Sequence, residues 1–453
     1  MIDTTGQMIY RLGNLNTQSE RISYQMSTGK KLDRGSDDSN TYARELYVND
    51  KMRIYNGLKV QVDKTHAQNI ASDSSMKEVK LSLESLKTEA LKSLNAGMDA
   101  NDKKAVAVNI EGIRENLLTL SNENINGEYV FAGSDTTVKP FVRDDATGRI
   151  FYNGDAQLRT VAVAPNTYRD RGITGMDSFM YTASEAVKGE TLTFRSSDTI
   201  IDEDGMQWQL TKAFKNERLT FDVSDTIVDS AGDTWTLDTS SNLLTNGTTG
   251  ATMEVEHVKG NQYRTASIHN DHINGGTAPD YLEVSTGGNT KLRETDVNGN
   301  LTGTSYDISE TGSGTATDPK MFTTDTLTRN NQVLTAKHNY FDDIDTMITA
   351  LKTDTNDTSN GIVGLRSTLD MLDSAYDSAN IGHSILGSRN RIFELAKDDI
   401  NSRITHYNIL YQEVAGADLA KVAMESKALE MTYTALYSTI TKMSELSLVN
   451  FVR

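Results

Sequence analysis

Apolar residues recur at alternating spacings of three and four along two long parts of the chain, residues 1–139 and 320–453. Neither part contains proline, which ends helices because it lacks an N–H and clashes with the preceding turn. The spacing places the apolar side chains along one narrow stripe of each helix. Both arms are therefore predicted to form long helices that pack lengthwise.

The N-terminal arm opens with an apolar stripe made of Met8, Leu12, Leu15, Ile22 and Met26. Gly29 interrupts this helix. Ser36 or Asp37 is the candidate N-cap of the next helix, because short polar side chains accept hydrogen bonds from the first backbone N–H groups of a helix. That second helix is long, and its stripe turns polar at Thr65 and Asn69 before apolar residues resume.

The C-terminal arm mirrors this pattern. A short helix is expected before the polar run 353–360, and a regular heptad segment follows that run. The last helix carries a stripe made of Leu429, Tyr433, Leu436, Ile440 and Met443. One helix cannot bury its own stripe, so the stripes of the two arms are expected to pack against each other.

The predicted fold is multidomain α plus β. A discontinuous antiparallel helical bundle, built as a coiled-coil rod from both chain ends, carries an inserted mainly-β domain. Residues 1–40 with 415–453 are expected to form a terminal helical assembly domain, and residues 41–135 with 335–414 a helical rod domain. Residues 136–334 are the insert, because they contain all prolines and tryptophans and have short apolar runs between turn signals.

The insert contains a duplication, in which residues 190–210 recur as residues 217–237 with an offset of 27. The repeated positions are Asp202, Gly205 and Trp208 in one copy and Asp229, Gly232 and Trp235 in the other. The pattern predicts two strand–turn–strand units, each with its glycine at the turn and its tryptophan on the returning strand. Residues 240–320, where Gly and Thr are frequent, are expected to be the least structured part.

The formal net charge of −18 argues against binding of nucleic acid or anionic lipid, which requires clustered Lys and Arg. There is no cysteine, so neither disulfides nor thiol catalysis are available. The first 18 residues lack the apolar core of a secretory signal peptide, and no stretch reaches the ~20 apolar residues of a membrane helix. No nucleic acid partner and no membrane insertion are expected.

Three segments carry candidate chemistry. His269 and His272, with His257 nearby, offer imidazoles to a metal, but the further ligands of a zinc site are missing and a surface loop is the preferred interpretation. The run 202–205 resembles the start of a calcium loop without its later oxygens, and a plain turn is preferred. Asn246 begins a glycosylation sequon. No catalytic constellation is visible, so neither an enzyme nor a cofactor is predicted.

The two chain ends are the candidate interaction surfaces. About 30 residues of marginal helix at each end, 1–30 and 425–453, make a poor isolated core and tend to remain disordered until a partner covers them. The end stripes listed above, from Met8 to Met26 and from Leu429 to Met443, are therefore predicted to be assembly interfaces.

Several short motifs, in the same order along the chain, resemble the flagellin family. They lie at residues 25–31, 36–38, 126–134, 140–141, 151–155, 417–420 and 447–451. Their signature positions are Gly29, Asp37, Asp38, Gly127, Tyr129, Phe131, Gly133, Pro140, Phe141, Tyr152, Gly154, Asp155, Asp418, Leu419, Asn450 and Phe451. The resemblance covers about residues 1–185 and 335–453, and it excludes the repeat-bearing middle.

The resemblance implies a structural protein of the bacterial flagellum, exported unfolded by the flagellar type III route and assembled outside the cell. The motifs at 126–134 and 151–155 are similar to the branch whose members join hook to filament. The implied partners are further copies of the chain, a hook-side junction protein, flagellin and a flagellar export chaperone. Two alternatives stay open: a flagellin filament subunit, and a coiled-coil surface adhesin or fibre protein.

Overall fold

The computed structural model describes residues 4–94, 98–313, 320–353 and 360–451, with side chains described for 6–94, 98–313, 320–353 and 368–442. The chain forms two compact units. The terminal unit comprises Met1–Asp63, Ala162–Tyr168 and Glu394–Arg453, and the central unit comprises Lys64–Val161 and Arg169–Phe393.

Long helices occupy both arms, and strands occupy the region between them, so the predicted combination of terminal helices and an inserted mainly-β region is confirmed. The helices are α1 (Thr4–Thr28), α2 (Ser39–Ser93), α3 (Ala100–Ser121), α4 (Gly175–Phe179), α5 (Tyr340–Lys352), α6 (Asn360–Ala415) and α7 (Leu419–Phe451), with a 3-10 turn at Asn270–His272.

Local sequence sets the helix ends. α1 stops where Gly29 adopts a φ of 68°, a left-handed conformation that glycine accepts without strain. Asp38 is the N-cap of α2, because its Oδ1 accepts from the N–H groups of Asn40 and Thr41, both at 3.1 Å. The prediction of Ser36 or Asp37 as this cap is therefore wrong by one or two positions.

The apolar stripe expected for α2 lies in the helical core of the central unit. Met76, Val79, Leu83 and Leu86 are all at most 1% exposed, and they belong to one cluster with residues of α3, α5 and α6. The polar interruption of the stripe is also buried, since Asn69 is 1% exposed. Polar side chains thus replace apolar ones along that part of the helix without bringing it to the surface.

Two large antiparallel sheets form the β region. The outer sheet contains β7 (Met180–Val187), β8 (Thr193–Arg195), β9 (Thr199–Asp202), β10 (Gln207–Leu210), β20 (Lys291–Thr295), β21 (Leu301–Thr311), β22 (Met321–Thr324) and β23 (Val333–Asn339). The inner sheet contains β11 (Lys212–Phe214), β12 (Thr220–Asp222), β13 (Ile227–Asp229), β14 (Thr234–Asp238), β15 (Leu243–Asn246), β16 (Thr252–Lys259), β17 (Gln262–Thr265), β18 (Ile273–Asn274) and β19 (Tyr281–Val284).

Six further strands precede these sheets. They pair as three two-stranded sheets. Their bounds are β1 (Asn124–Ile125), β2 (Glu128–Tyr129), β3 (Phe141–Arg143), β4 (Ile150–Tyr152), β5 (Thr160–Ala164) and β6 (Thr167–Asp170).

The two large sheets have the same topology. The outer order is β7-β23-β9-β10-β20-β21-β22-β8, and the inner order is β11-β19-β13-β14-β15-β16-β17-β12. When the strands of each sheet are numbered in chain order, every strand of the outer sheet has one counterpart in the inner sheet. Only β18, which pairs with β16, has no counterpart. All of β11 to β19 lies in the chain between β10 and β20. One copy of the domain is therefore nested inside the other.

Side-chain hydrogen bonds repeat with the strands. Trp208 Nε1 donates to Asp202 Oδ2 at 3.3 Å, and Trp235 Nε1 donates to Asp229 Oδ2 at 2.9 Å. Gly205 and Gly232 turn the two hairpins with φ of 72° and 84°. The 27-residue offset thus marks equivalent hairpins of two whole domains. The expectation that residues 240–320 are the least structured is wrong over the described residues, because they contain the strands β15 to β21.

His338, at the end of β23, joins the outer domain to the helical core. It is 2% exposed, and its ring lies between Asp198 Oδ1, at 2.5 Å from Nδ1, and Asp343 Oδ1, at 3.2 Å from Nε2. Burial by itself lowers the pKa of His338, but the two carboxylates raise it to about 10. Arg195 Nη1 also lies 2.9 Å from Nε2. The imidazolium is nevertheless favoured, because two buried carboxylates outweigh one guanidinium.

Removal of the inner domain is expected to leave the outer domain folded. Thr211 N donates to Lys291 O at 2.9 Å, so the two ends of the excision are already paired. A variant in which a short Gly-Ser linker replaces residues 212–290 should unfold cooperatively, and before unfolding Trp208 should emit at the shorter wavelengths typical of a buried indole. A non-cooperative transition with an exposed Trp208 would show that the outer copy needs the inner one to fold.

The raised pKa of His338 predicts a pH-dependent stability. A group whose pKa is higher in the folded state stabilises the fold below its unfolded pKa, near 6.5, and that stabilisation is lost as pH rises through about 10. Urea unfolding of the whole chain should therefore give a smaller unfolding free energy at pH 9 than at pH 6.5. His338→Gln should remove most of this difference, and an equal difference in wild type and variant contradicts the assignment.

Candidate assembly site

α1 and α7 pack antiparallel in the terminal unit. Ile22 of α1 forms a small buried cluster with Val422 and Leu429 of α7. Tyr433 Oη donates to Asn16 Oδ1 at 2.6 Å, which sets the register of the two helices farther along. The chain ends thus bury their stripes against each other, as the spacing predicts, and we call this contact the terminal seam.

Two loops cross at one end of the terminal seam. Lys31 N donates to Ala415 O at 2.7 Å, and Ala417 N donates to Gly29 O at 2.8 Å. Gln25, only 9% exposed, adds a bond from Nε2 to Lys31 O at 2.7 Å. Backbone hydrogen bonds therefore hold the loop after α1 to the loop before α7, so the role of Gly29 and its neighbours is structural.

The predicted interface residues whose side chains are described fall into three groups. Ile22 and Leu429 are buried, whereas Met26 is 52% exposed. Half-buried positions along the seam are Met8, Leu12, Leu15, Tyr433, Leu436 and Ile440. Met443 lies outside the described side chains. The seam therefore leaves partly accessible apolar surface along its length.

Other large apolar side chains of α1 and α7 are exposed and were missed by the stripe argument. Met424 and Met431 are 68% and 65% exposed, and they lie seven residues apart on one face of α7. Ile9, Tyr10 and Tyr437 are also more than half exposed. The seven-residue spacing of the two methionines was a signal in the sequence, but it lies off the stripe that pairs with α1.

The signature residues of the central unit converge on Asp155. Its Oδ1 accepts from Ser134 N at 2.8 Å and from Gln157 N at 3.0 Å. Tyr152 Oη donates to Asp155 O at 2.9 Å. Gly133 has a φ of 93°, and a Cβ there would lie 2.3 Å from Asp155 Oδ1. The polar half of this signature cluster is therefore a tightly closed turn that admits no side chain at Gly133.

Aromatic rings form the other half of the signature cluster. Phe131 and Phe141 are fully buried, and both contact Phe179 of α4 with ring centroids 5.2 Å apart. Tyr152 lies 5.0 Å from Phe141. Pro140 O accepts from Asn153 N at 2.7 Å. Gly154 lies so close to Ala132 O that a Cβ would be 2.4 Å from it.

The remaining signature residues serve local structure. Gly127, with a φ of 84°, turns the hairpin between β1 and β2, and Tyr129 lies on β2. Asp37 Oδ2 accepts from Arg34 N at 3.1 Å, and Asp418 Oδ1 caps α7 through Lys421 N at 3.1 Å. Leu419 is 55% exposed. Asn450 and Phe451 lie outside the described side chains.

The candidate ligand sites do not assemble. His257 Nε2 contacts Gly260 O, and His272 Nε2 contacts Asp144 Oδ1, 2.8 and 2.9 Å away respectively. Asp202 Oδ1 accepts two backbone N–H groups of its own turn. Asn246 is 3% exposed and donates through Nδ2 to Asp229, so the folded chain does not offer this sequon to a glycan. Within the described ranges, no group of three or more potential ligands is positioned for a metal.

None of the described helices combines the length and apolarity that crossing a membrane requires. Residues 5–136, which cover α1, α2, α3 and the first signature residues, match the sequence profile of the bacterial flagellin N-terminal helical region.

Curated relatives of the chain carry a more specific name. Flagellar hook-associated protein 3 of Salmonella typhimurium is 29% identical over 188 residues, which are 40% of this chain and 58% of that protein. The protein of the same name from Escherichia coli is 28% identical over equal shares. The chain therefore spans little more than half the length of these curated relatives. A crystal structure of flagellar hook-associated protein 3 from Legionella pneumophila is 15% identical, covers 81% of this chain and 98% of that one, and has a TM-score of 0.43.

Two glycines, Gly127 and Gly133, provide a matched test of the signature cluster. Both have positive φ, but a Cβ at Gly127 meets nothing within 4 Å, whereas a Cβ at Gly133 meets Asp155. Gly127→Ala should cost about 1–2 kcal/mol of unfolding free energy, from backbone strain alone. Gly133→Ala should cost at least about 3 kcal/mol, because overpacking adds to the strain. Equal losses in urea unfolding would exclude a packed contact at Gly133.

Proposed function

We propose that this chain is a structural, non-catalytic component of the bacterial flagellum that joins hook to filament through its terminal helices. It would be exported by the flagellar type III route and assembled outside the cell. The observation that carries the proposal is the terminal seam, which buries Ile22, Val422 and Leu429 while large apolar side chains of the same two helices stay exposed. Exposed apolar surface on an otherwise acidic chain marks a protein interface.

The proposed interface consists of the terminal seam together with the outward residues of α1 and α7. Its partners would be further copies of this chain, a hook-side junction protein and flagellin, with an export chaperone covering the ends before export. Burial of an apolar side chain contributes roughly 1.5–3 kcal/mol, so a few residues such as Met424 and Met431 would stabilise each contact substantially. Head-to-tail contacts between copies generate rings or helical assemblies.

The hook-associated role is preferred to that of a filament subunit because the curated relatives of the chain bear that name. The motifs around Phe131 and Tyr152 support the same branch. The two roles differ in self-assembly. A filament subunit would polymerise into long filaments in purified form, whereas a junction protein would stay short. A surface adhesin would instead form a stable oligomer in solution.

Deletion of the gene tests the proposal directly. Cells without this chain should carry hooks that lack filaments, and flagellin should accumulate in the medium. Restoration by the intact gene is the control. Cells that keep attached filaments after the deletion would refute the junction role, and cells that lose flagellin itself would favour the filament subunit.

Charge on the outward face of α7 should abolish attachment without unfolding the chain. Met424→Glu with Met431→Glu should change the unfolding free energy by less than about 1 kcal/mol, because both side chains are exposed. Complementation should nevertheless fail, with flagellin lost to the medium. Val297→Glu, at an exposed apolar residue of the outer β domain, is the matched control and should complement fully. Normal swimming by the double variant would remove this face from the interface.

A further inference from the structure

Residues 150–157, which we call the seat, have two faces. β4 alternates as a strand must, so Ile150 and Tyr152 point into the signature cluster and helical core while Phe151 and Asn153 point the other way. Phe151 lies between two guanidinium groups, at 4.3 Å from Arg218 and 5.1 Å from Arg149. One face of the seat thus belongs to the flagellin-type core, and the opposite face meets the β region.

The inner domain contacts the outward face of the seat directly. Arg218 contributes the cation–π contact with Phe151, and Arg264 Nη1 donates to Asn153 Oδ1 at 2.5 Å. Both arginine side chains are only 14% exposed. Burial, together with the neighbouring Arg264, lowers the pKa of Arg218 to about 9. These guanidinium groups are desolvated, so the contact is a packed interface.

The outer domain contacts the same seat through its own hairpin. Gln157 Nε2 donates to Asp204 O at 2.6 Å, in the turn between β9 and β10. A Cβ at Gly205 would lie 3.0 Å from the Gln157 side chain, which shows how closely the turn approaches. The two copies therefore rest on adjacent parts of one short segment.

The two copies are also joined to each other. Arg293 of β20 makes a bidentate ion pair with Asp225 of the inner domain, with N–O distances of 2.9 and 2.7 Å. Both side chains are nearly buried, at 12% and 11% exposed. The rings of Phe214 and Phe322 stack across the same boundary with centroids 5.9 Å apart. The inner domain is therefore held from two sides.

We propose that the inner domain is a brace that locks the orientation of the β region on the helical core. The contacts form a closed circuit. The core holds the outer domain through β7, β23 and Gln157, the outer domain holds the inner domain, and the inner domain returns to the core through Arg218, Arg264 and His272, whose Nε2 lies 2.9 Å from Asp144 Oδ1. Without the return contacts of the inner domain, the orientation of the β region on the core would be less restricted.

The brace is specific to the inner copy. The hairpin register places Thr191 of the outer domain at the position of Arg218, and Thr323 at the position of Arg264. The hairpin glycine and tryptophan are kept in both copies, so the two arginines are specific to the inner copy's contact with the seat, whereas the outer copy reaches the seat through its Asp204 turn. This inference does not depend on the proposed flagellar role.

A distance measurement tests the brace. The chain has no cysteine, so Lys104→Cys on α3 and Thr239→Cys on the inner domain, both exposed, would carry the only two spin labels. Pulsed electron resonance should give a narrow distance distribution for the intact brace. Arg218→Ala with Arg264→Ala and His272→Ala should broaden the distribution and add longer distances, because the return contacts of the inner domain are lost.

Two further variants complete the experiment. Phe151→Leu with Asn153→Ala and His272→Ala breaks the arginine contacts from the side of the seat, and it provides the result if the arginine variant fails to fold. Arg329→Ala is the control, because Arg329 pairs with Glu294 and Thr304 inside the outer domain. Broadening in both brace variants and not in the control supports the proposal. A distribution that stays narrow in the folded brace variants, or one that broadens equally in the control, overturns it.

Discussion

The antiparallel pairing of helices from opposite ends of the chain is the constraint on which the rest of the structure depends. One helix cannot bury its own stripe, so Ile22 requires Val422 and Leu429, and the stripe of α2 requires α3, α5 and α6. Any segment between the arms must therefore leave the helical core and return to it at the same place. The first and last strands of the insert obey this condition, because β7 and β23 are hydrogen-bonded neighbours along their length.

The same condition explains the nesting of the two β domains. A domain is accepted as an insert where the two ends of the interrupted chain are adjacent. β10 and β20 are paired, with Leu210 opposite Leu292, so the interruption lies between neighbouring strands. The inner domain begins and ends on β11 and β19, which are also paired. Each inserted domain thus begins and ends on two adjacent, paired strands. The fold of the part that carries the insert is therefore preserved.

Sequence patterns correctly predicted the elements that local periodicity controls. They failed for features that depend on residues far away in the chain. Heptad spacing places the helices correctly, because an apolar stripe is a property of consecutive turns. The duplication is visible only in hairpins whose tryptophan bonds an aspartate six residues earlier, since that bond needs both residue types. Strands such as β15 and β20 require only apolar alternation to pair, so their equivalence leaves just one residue in common, Leu244 in one and Leu292 in the other. The exposed Met424 was missed because it lies off the stripe.

The two faces of β4 and the turn after it have different partners. In β4 and the turn after it, Tyr152, Gly154 and Asp155 close the core, and substitution there meets backbone atoms at once. Phe151 and Asn153 alternate with them, face away from the core and receive Arg218 and Arg264. A guanidinium buried this far costs free energy unless a ring or an amide oxygen faces it. The orientation of the insert is therefore encoded between the signature positions, in residues whose partners lie more than sixty positions away in the chain.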